Sequence, residues 1–107
     1  MDNAFKYIKD HGLATDEEYP FKGVFQSCKK NQGAFKISGF TDITNCNTLA
    51  VALTDRPISV AVDATNWGSY KSGILSNCKT NLNHASLLVG MTDQYWKVKD
   101  SWGTSWG

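Results

Sequence analysis

The sequence predicts an α+β domain, mostly β, with four or five strands and two short helices. Three observations carry this. The run Ile58-Ser59-Val60-Ala61-Val62-Asp63-Ala64 alternates cleanly, with Ile58, Val60 and Val62 facing one way and Ser59, Ala61 and Asp63 the other. Two further strand-like runs, Leu82–Gly90 and Tyr95–Asp100, are joined by the short polar link Met91-Thr92-Asp93-Gln94, the pattern of an antiparallel hairpin. The apolar stripes at helical spacing are short and do not alternate with strands, which argues against a parallel βαβ sheet.

Taken in order, Met1, Ala4, Phe5 and Ile8 form one stripe, so Met1–Asp10 is expected as an amphipathic helix, stopped by His11-Gly12. Leu13 to Lys30, with Asp16-Glu17-Glu18, Tyr19-Pro20 and Gly23, reads as loop. Ala34 to Ile43 reads as a strand through Phe35 and Ile37, bending at Gly39. Asn47 is expected to cap a second helix with Leu49, Ala50 and Leu53 on one face, ended by Arg56-Pro57. Trp67–Leu75 carries Gly68 and Gly73 and reads as a loop or short strand, and Asn77–Asn83 as a polar loop leading into His84.

At 107 residues the chain amounts to one domain or less. A net charge of +1 gives no electrostatic case for nucleic acid or an anionic membrane surface. No apolar run is long enough to span a bilayer, and no basic segment precedes an apolar core at the N-terminus, so neither a transmembrane helix nor a signal peptide is expected. Asn-x-Ser/Thr acceptors, internal repeats and low-complexity tracts are missing. Four tryptophans, four tyrosines and five phenylalanines argue for a packed core or interface. The cysteines, Cys28, Cys46 and Cys78, are odd in number and widely spaced. That excludes a C-x-x-C zinc site and allows one internal disulfide at most. No metal or cofactor is implied.

The hairpin carries the chemistry. His84 lies eight residues before Thr92 and Asp100 eight after it. A turn centred on Thr92 therefore sets imidazole and carboxylate opposite each other, the base and its orienter in a nucleophilic site. Taken alone, His84 reads as a strand-start histidine bonding a nearby carbonyl, and Asp100 as a strand-end turn residue. Their symmetry and the following Trp102 point to catalysis. Trp102 and Trp106 are either core aromatics or indoles that keep water off the pair. His11 reads as a helix-end cation.

The nucleophile is harder to place. Cys28 sits among Ser27, Lys29 and Lys30, whose charges favour thiolate, but in a loop. Cys46 precedes a helix without further support, and Cys78 reads as a staple. Ser86 shares a strand face with His84, and Ser101 follows Asp100, yet no G-x-S-x-G elbow is present.

Asn83-His84-Ala85, the strand to Val89-Gly90, Tyr95-Trp96-Lys97-Val98-Lys99 and Ser101-Trp102-Gly103-Thr104-Ser105-Trp106-Gly107 closely resemble the papain family of cysteine proteases, cathepsin L-like branch. Met1–Phe5, Glu17–Phe21, Pro57–Ala64 and Tyr70–Ile74 support the resemblance in the family's order. It implies the interdomain helix over residues 1–12 and, over 13–107, the antiparallel, barrel-like, β-rich right-hand domain of the papain fold, truncated at both ends.

Carried over, His84 is the general base and acid, and Asp100 stands where the family has an orienting asparagine. Trp102, with Trp106 beside it, shields that bond on the leaving-group side. Ala61, Leu82, Asn83 and Ala85 fall in the substrate-binding region, Ala61, Leu82 and Ala85 lining an apolar specificity pocket. The family's nucleophilic cysteine and oxyanion glutamine fall upstream of the part matching Met1, so the chain is expected to be inactive alone. A carboxylate in the asparagine position still accepts the imidazole N–H and alters the pH profile.

The implied partners are a peptide or protein substrate and the missing N-terminal half-domain. The resemblance also pairs Cys28 with a cysteine in that half and Cys78 with one beyond Gly107, and leaves Cys46 unassigned. The parent protein is expected to be lysosomal or secreted. A non-catalytic, protease-like binding or regulatory domain is the alternative. Either reading predicts apolar surface left exposed on the isolated chain.

Overall fold

The computed structural model describes residues 1–29 and 32–107. Lys30, expected to flank Cys28, lies outside the described residues. The element order is α1 (Asp2–His11), α2 (Cys46–Leu53), β1 (Ile58–Val62), β2 (His84–Met91) and β3 (Trp96–Lys99). The expected α+β class holds, with one antiparallel sheet in the order β1-β2-β3. Two compact units result, Met1–Asp42 and Ile43–Gly107.

In the first unit α1 half-buries Phe5 and Ile8 from its predicted stripe, and Phe5 packs on Phe40 with ring centroids 5.5 Å apart. Gly12 ends the helix at φ 80°, with its N–H bonded to Ile8 O at 2.8 Å. That left-handed backbone suits glycine. It also lets Gly12 lie against Gly33, where a Cβ would meet the Gly33 carbonyl oxygen at 2.0 Å. The expected loop after α1 has its own bonding. Thr15 N donates to Glu18 Oε2 at 2.9 Å and Glu18 N to Thr15 Oγ1 at 3.2 Å, a reciprocal capping pair.

The strand expected at Ala34–Ile43 does not form. Phe35 makes an isolated antiparallel bridge with Leu13, and the rest of the run stays irregular. Alternation supplies a face, but a strand also needs a neighbour offering a row of partners. Among the described residues the named strands are therefore three rather than four or five.

In the second unit, α2 is capped by Asn45, whose side chain accepts from Thr48 N at 2.9 Å. Asn47, the expected cap, lies inside the helix. Leu49, Ala50 and Leu53 are half-buried, as their spacing predicts, while Val51 on the other side is 71% exposed. Helix α2 packs on β2. Strand β1 pairs with β2 so that Ile58, Val60 and Val62 stand opposite Leu88, Ser86 and His84. Leu88, at 2% exposure, is the best-buried apolar side chain here, followed by Trp67 at 8%. The other face of the same pair carries Ala61 opposite Ala85, both exposed.

Large apolar side chains that remain exposed include Phe21, Val24, Phe25 and Phe35 in the first unit and Val51, Ile74 and Leu82 in the second. No helix is long and apolar enough to cross a membrane.

Candidate active site

The β2–β3 register puts Leu87 opposite Lys99 and Leu88 opposite Val98, then slips by one residue so that Gly90 faces Lys97 and Met91 faces Trp96. The extra residue, Val89, makes a β-bulge. The turn is tight, with Thr92 N donating to Tyr95 O at 2.9 Å and Thr92 Oγ1 accepting from Gln94 N and Tyr95 N. It therefore centres beyond Thr92.

The symmetric pairing expected from a Thr92-centred turn is thus displaced. Continuing the Leu87–Lys99 register brings Asp100 level with Ser86, two residues from His84. A displacement of two keeps side chains on the same face. Long side chains on a shared face also reach a diagonal neighbour. His84 Nε2 and Asp100 Oδ2 accordingly lie 2.7 Å apart.

Asp100 is almost completely enclosed, its side chain 2% exposed against 24% for His84. An enclosed carboxylate needs several donors. Besides His84, Ser101 N donates to Oδ1 at 2.7 Å, and Ser86 Oγ lies 3.0 Å from Oδ2. Burial pushes the Asp100 carboxyl up. The bonds from His84, Ser101 and Ser86, with the imidazole charge, outweigh it and hold the pKa below the ordinary 3.8. Since His84 uses Nε2 toward Asp100, Nδ1 is the ring nitrogen left to exchange a proton with a reacting group.

Aromatic rings surround the pair. The Trp102 ring centroid is 5.1 Å from that of His84, and Trp106 lies 4.9 Å from Trp102. Both tryptophans named from the sequence therefore join the cluster. Two rings the sequence left in a loop join it as well. Trp67 meets His84 edge-on at 6.1 Å and stacks on Trp106 at 6.2 Å, and Tyr70 lies 5.6 Å from Trp106. Trp106 Nε1 donates to Trp67 O at 2.9 Å, pinning the loop to the cluster. The buried Trp67 Nε1 has no partner among the described residues. A cavity of about 790 Å³ opens beside these rings, lined by Trp67, Tyr70, Ile74, Trp96, Asp100 and Trp106 among others.

The residues expected from the sequence to bind substrate are arranged differently. Ala61 and Ala85 face each other on the sheet surface opposite the carboxylate, and Leu82 is 66% exposed just before β2. Asn83 is turned into the chain. Its Oδ1 accepts from Ala64 N at 2.9 Å and its Nδ2 donates to Thr65 Oγ1 at 3.1 Å.

Asp63, which the alternation sets on the side of Ser59 and Ala61, follows β1 and is buried. Oδ1 accepts from Thr65 N at 3.0 Å, an Asx-turn, and Oδ2 from Asn81 N at 2.7 Å. With Asn83 it ties the loop ahead of His84 to the end of β1. The sequence signal was available: an aspartate closing an alternating strand, with threonine two residues on.

Bonds from Thr65, side chain and backbone, hold the Asp63 carboxyl below 3.8 against the opposing push of burial, helped by Asn81 N and the charge of Lys79. Both depressed carboxylates stabilise the folded chain above the unfolded value of 3.8. That contribution is lost as pH falls through their lower folded values. Urea midpoints should therefore drop as pH is lowered below about 4. The drop should be shallower in Asp63→Asn, and an equally steep drop there would exclude Asp63 as a contributor.

The three cysteines are exposed and unpaired with one another. No group of three His, Cys, Asp or Glu among the described residues is placed to hold a metal.

A hydrogen-bonded histidine and carboxylate under a layer of indoles, on an antiparallel sheet, can act chemically as a base with its orienter. Sequence comparison makes the class specific: the papain family cysteine protease profile matches residues 1–107, and the chain belongs to that family. It is 47% identical over 110 residues to cathepsin L 2 of Paramecium tetraurelia, covering 100% of this chain and 35% of that protein. It is 42% identical over 124 residues to cathepsin L of Sarcophaga peregrina, of which 36% is covered.

Among solved structures it resembles the bromelain protease of Ananas comosus bound to an inhibitor, with TM-score 0.84, 36% identity and coverage of 99% of this chain and 55% of that one. A Carica candamarcensis cysteine protease gives TM-score 0.87 at 30% identity, with 54% of that chain covered. The chain spans about a third of the curated relatives and about half of the solved chains.

Proposed function

We propose that this chain carries the base half of a papain-type cysteine endopeptidase site. The observation behind the reading is the 2.7 Å bond between His84 Nε2 and the enclosed Asp100 carboxylate, which leaves Nδ1 for chemistry. In the complete site His84 takes the proton of a cysteine thiol. The thiolate attacks a peptide carbonyl, forming the C–S bond, and the imidazolium then protonates the departing amine as the C–N bond breaks. Water then adds to the thioester with His84 again as base, releasing the acid and restoring the thiol.

Asp100 fixes the ring and stabilises the imidazolium, and Trp102 and Trp106 lower the local dielectric around that bond. Ala61, Leu82 and Ala85 supply a small apolar surface for a hydrophobic substrate side chain. Among the described residues the His84 ring meets the Asp100 carboxylate, Trp67 and Trp102. In this reading the thiol and the oxyanion donors are supplied by the other half of the papain-type site. The reading also assigns the parent protein to a lysosomal or secreted setting, where the exposed Cys28 and Cys78 can form disulfides.

The isolated chain should neither cleave a hydrophobic fluorogenic peptide nor take up a thiol-directed active-site label. Turnover and labelling that vanish in His84→Ala would show that the chain holds its own nucleophile. A second reading, a protease-like binding domain, draws on the exposed Phe21, Val24 and Phe25, which suit a docking partner. A pull-down with the N-terminal half of a papain-family protease tests it, and no complex at micromolar concentration sinks it.

A further inference from the structure

Ser86 lies on β2 between His84 and Leu88, on the face that carries the imidazole. Its hydroxyl is 3.0 Å from Asp100 Oδ2 and 2.9 Å from Lys99 O. One hydroxyl has one proton, and the ionised carboxylate is the stronger acceptor. The Lys99 carbonyl is the competing acceptor for that proton. Because Asp100 sits at the end of β3, where the ladder has stopped, backbone pairing does not hold its side chain. What does hold it is the Ser101 N–H on Oδ1 and, on Oδ2, the shared approach of Ser86 and His84.

We infer that Ser86 is a positioning residue, whose hydroxyl keeps the Asp100 carboxylate ionised and its Oδ2 turned toward His84 Nε2. The inference rests on the reading of His84 and Asp100 as base and orienter. Serine was visible in the sequence only as a weak nucleophile candidate. Its geometry gives it a different task, because the proton it offers points at the orienter. The ionisable groups around Asp100 are few. His84 faces it from β2, Lys97 and Lys99 come from β3, Tyr70 and Tyr95 share its cavity, and β1 contributes none. None of these replaces the donor that Ser86 supplies to Oδ2.

The test reads protons rather than cleavage, so it can fail while the peptidase reading stands, and the reverse. Carbon-13 NMR of the Asp100 carboxyl should show it titrating at higher pH in Ser86→Ala than in the parent chain, by about 0.5–1 unit. Ser86→Thr, which keeps the hydroxyl, should restore most of the parent value. An unchanged Asp100 titration in Ser86→Ala, or Ser86→Thr behaving like Ser86→Ala, overturns the inference. Should Ser86→Ala fail to fold, the parent chain still decides. Its Ser86 hydroxyl proton should exchange slowly at pH 7 and show a cross-relaxation peak to the His84 ring. A hydroxyl exchanging as fast as that of exposed Ser101 overturns the inference equally.

Discussion

His84→Ala should lower kcat/KM by about 10²–10⁴-fold, the range supplied by a positioned acid–base group, when measured in a complete site. Such a site can be built by replacing the matching third of the Paramecium cathepsin L 2 with residues 1–107. At 47% identity along the whole chain, the segment should seat in that scaffold with its hairpin intact. The parent chimera should cleave a hydrophobic peptide in a thiol-dependent manner.

In His84→Ala two steps lose their proton carrier. The thiol is no longer deprotonated by Nδ1, and the leaving amine is no longer protonated. Uptake of a thiol-directed label should therefore slow along with turnover, which separates loss of the base from loss of substrate binding. Asp100→Asn should be much milder. The amide oxygen still accepts from His84 Nε2, but the negative charge that favours imidazolium is gone. Its effect should appear as a shift of the pH profile. A His84→Ala chimera with parental turnover would assign the base elsewhere and end the present reading of the site.

The parts of this site that could be read from sequence are those that rest on local periodicity. Ile58–Val62 and His84–Gly90 alternate or run apolar over five or more residues, and both became strands. The helix expected over Met1–Asp10 became α1, Asp2–His11, within one residue at each end. The shared face of His84 and Asp100 was legible because side-chain direction depends only on parity. Their register was not, since the Val89 bulge and a turn beyond Thr92 moved the pairing by two residues.

Phe35 and Ile37 showed alternation too, but among the described residues the bridge that formed was from Phe35 to Leu13. Trp67 and Tyr70 were hidden for a related reason. Their segment carries Gly68 and Gly73 and has no period, and what fixes Trp67 is Trp106, thirty-nine residues away. Asn45 and Asn47 differ as caps by whether the side chain reaches the N–H three residues on, and composition does not reveal that.

Leu88→Ala should cost about 2–5 kcal/mol, the range for truncating a buried leucine, against a total stability of only about 5–15 kcal/mol for an ordinary domain. The position sets the size of the effect. Leu88 lies on the central strand, with Ile58 opposite on β1 and Val98 opposite on β3. At 2% exposure it is one of the two buried apolar side chains among the described residues. With so small a core, there is little other apolar burial to absorb the loss.

Val51→Ala is the matched control. It removes comparable carbon from a side chain that is 71% exposed, and should stay within about 0.5 kcal/mol of the parent. The consequence for the site follows from topology. His84 begins β2 and Asp100 follows β3, so the ladder around Leu88 is the rigid body that carries both partners of the 2.7 Å bond. As that ladder loosens, the carboxylate gains water and the imidazole loses its fixed orientation. In Leu88→Ala the urea midpoint should fall and the downfield NMR signal of the His84 Nε2 proton should broaden together, whereas Val51→Ala should leave both in place. Equal midpoints for the two variants would mean that the three-stranded sheet is not the element holding the site together.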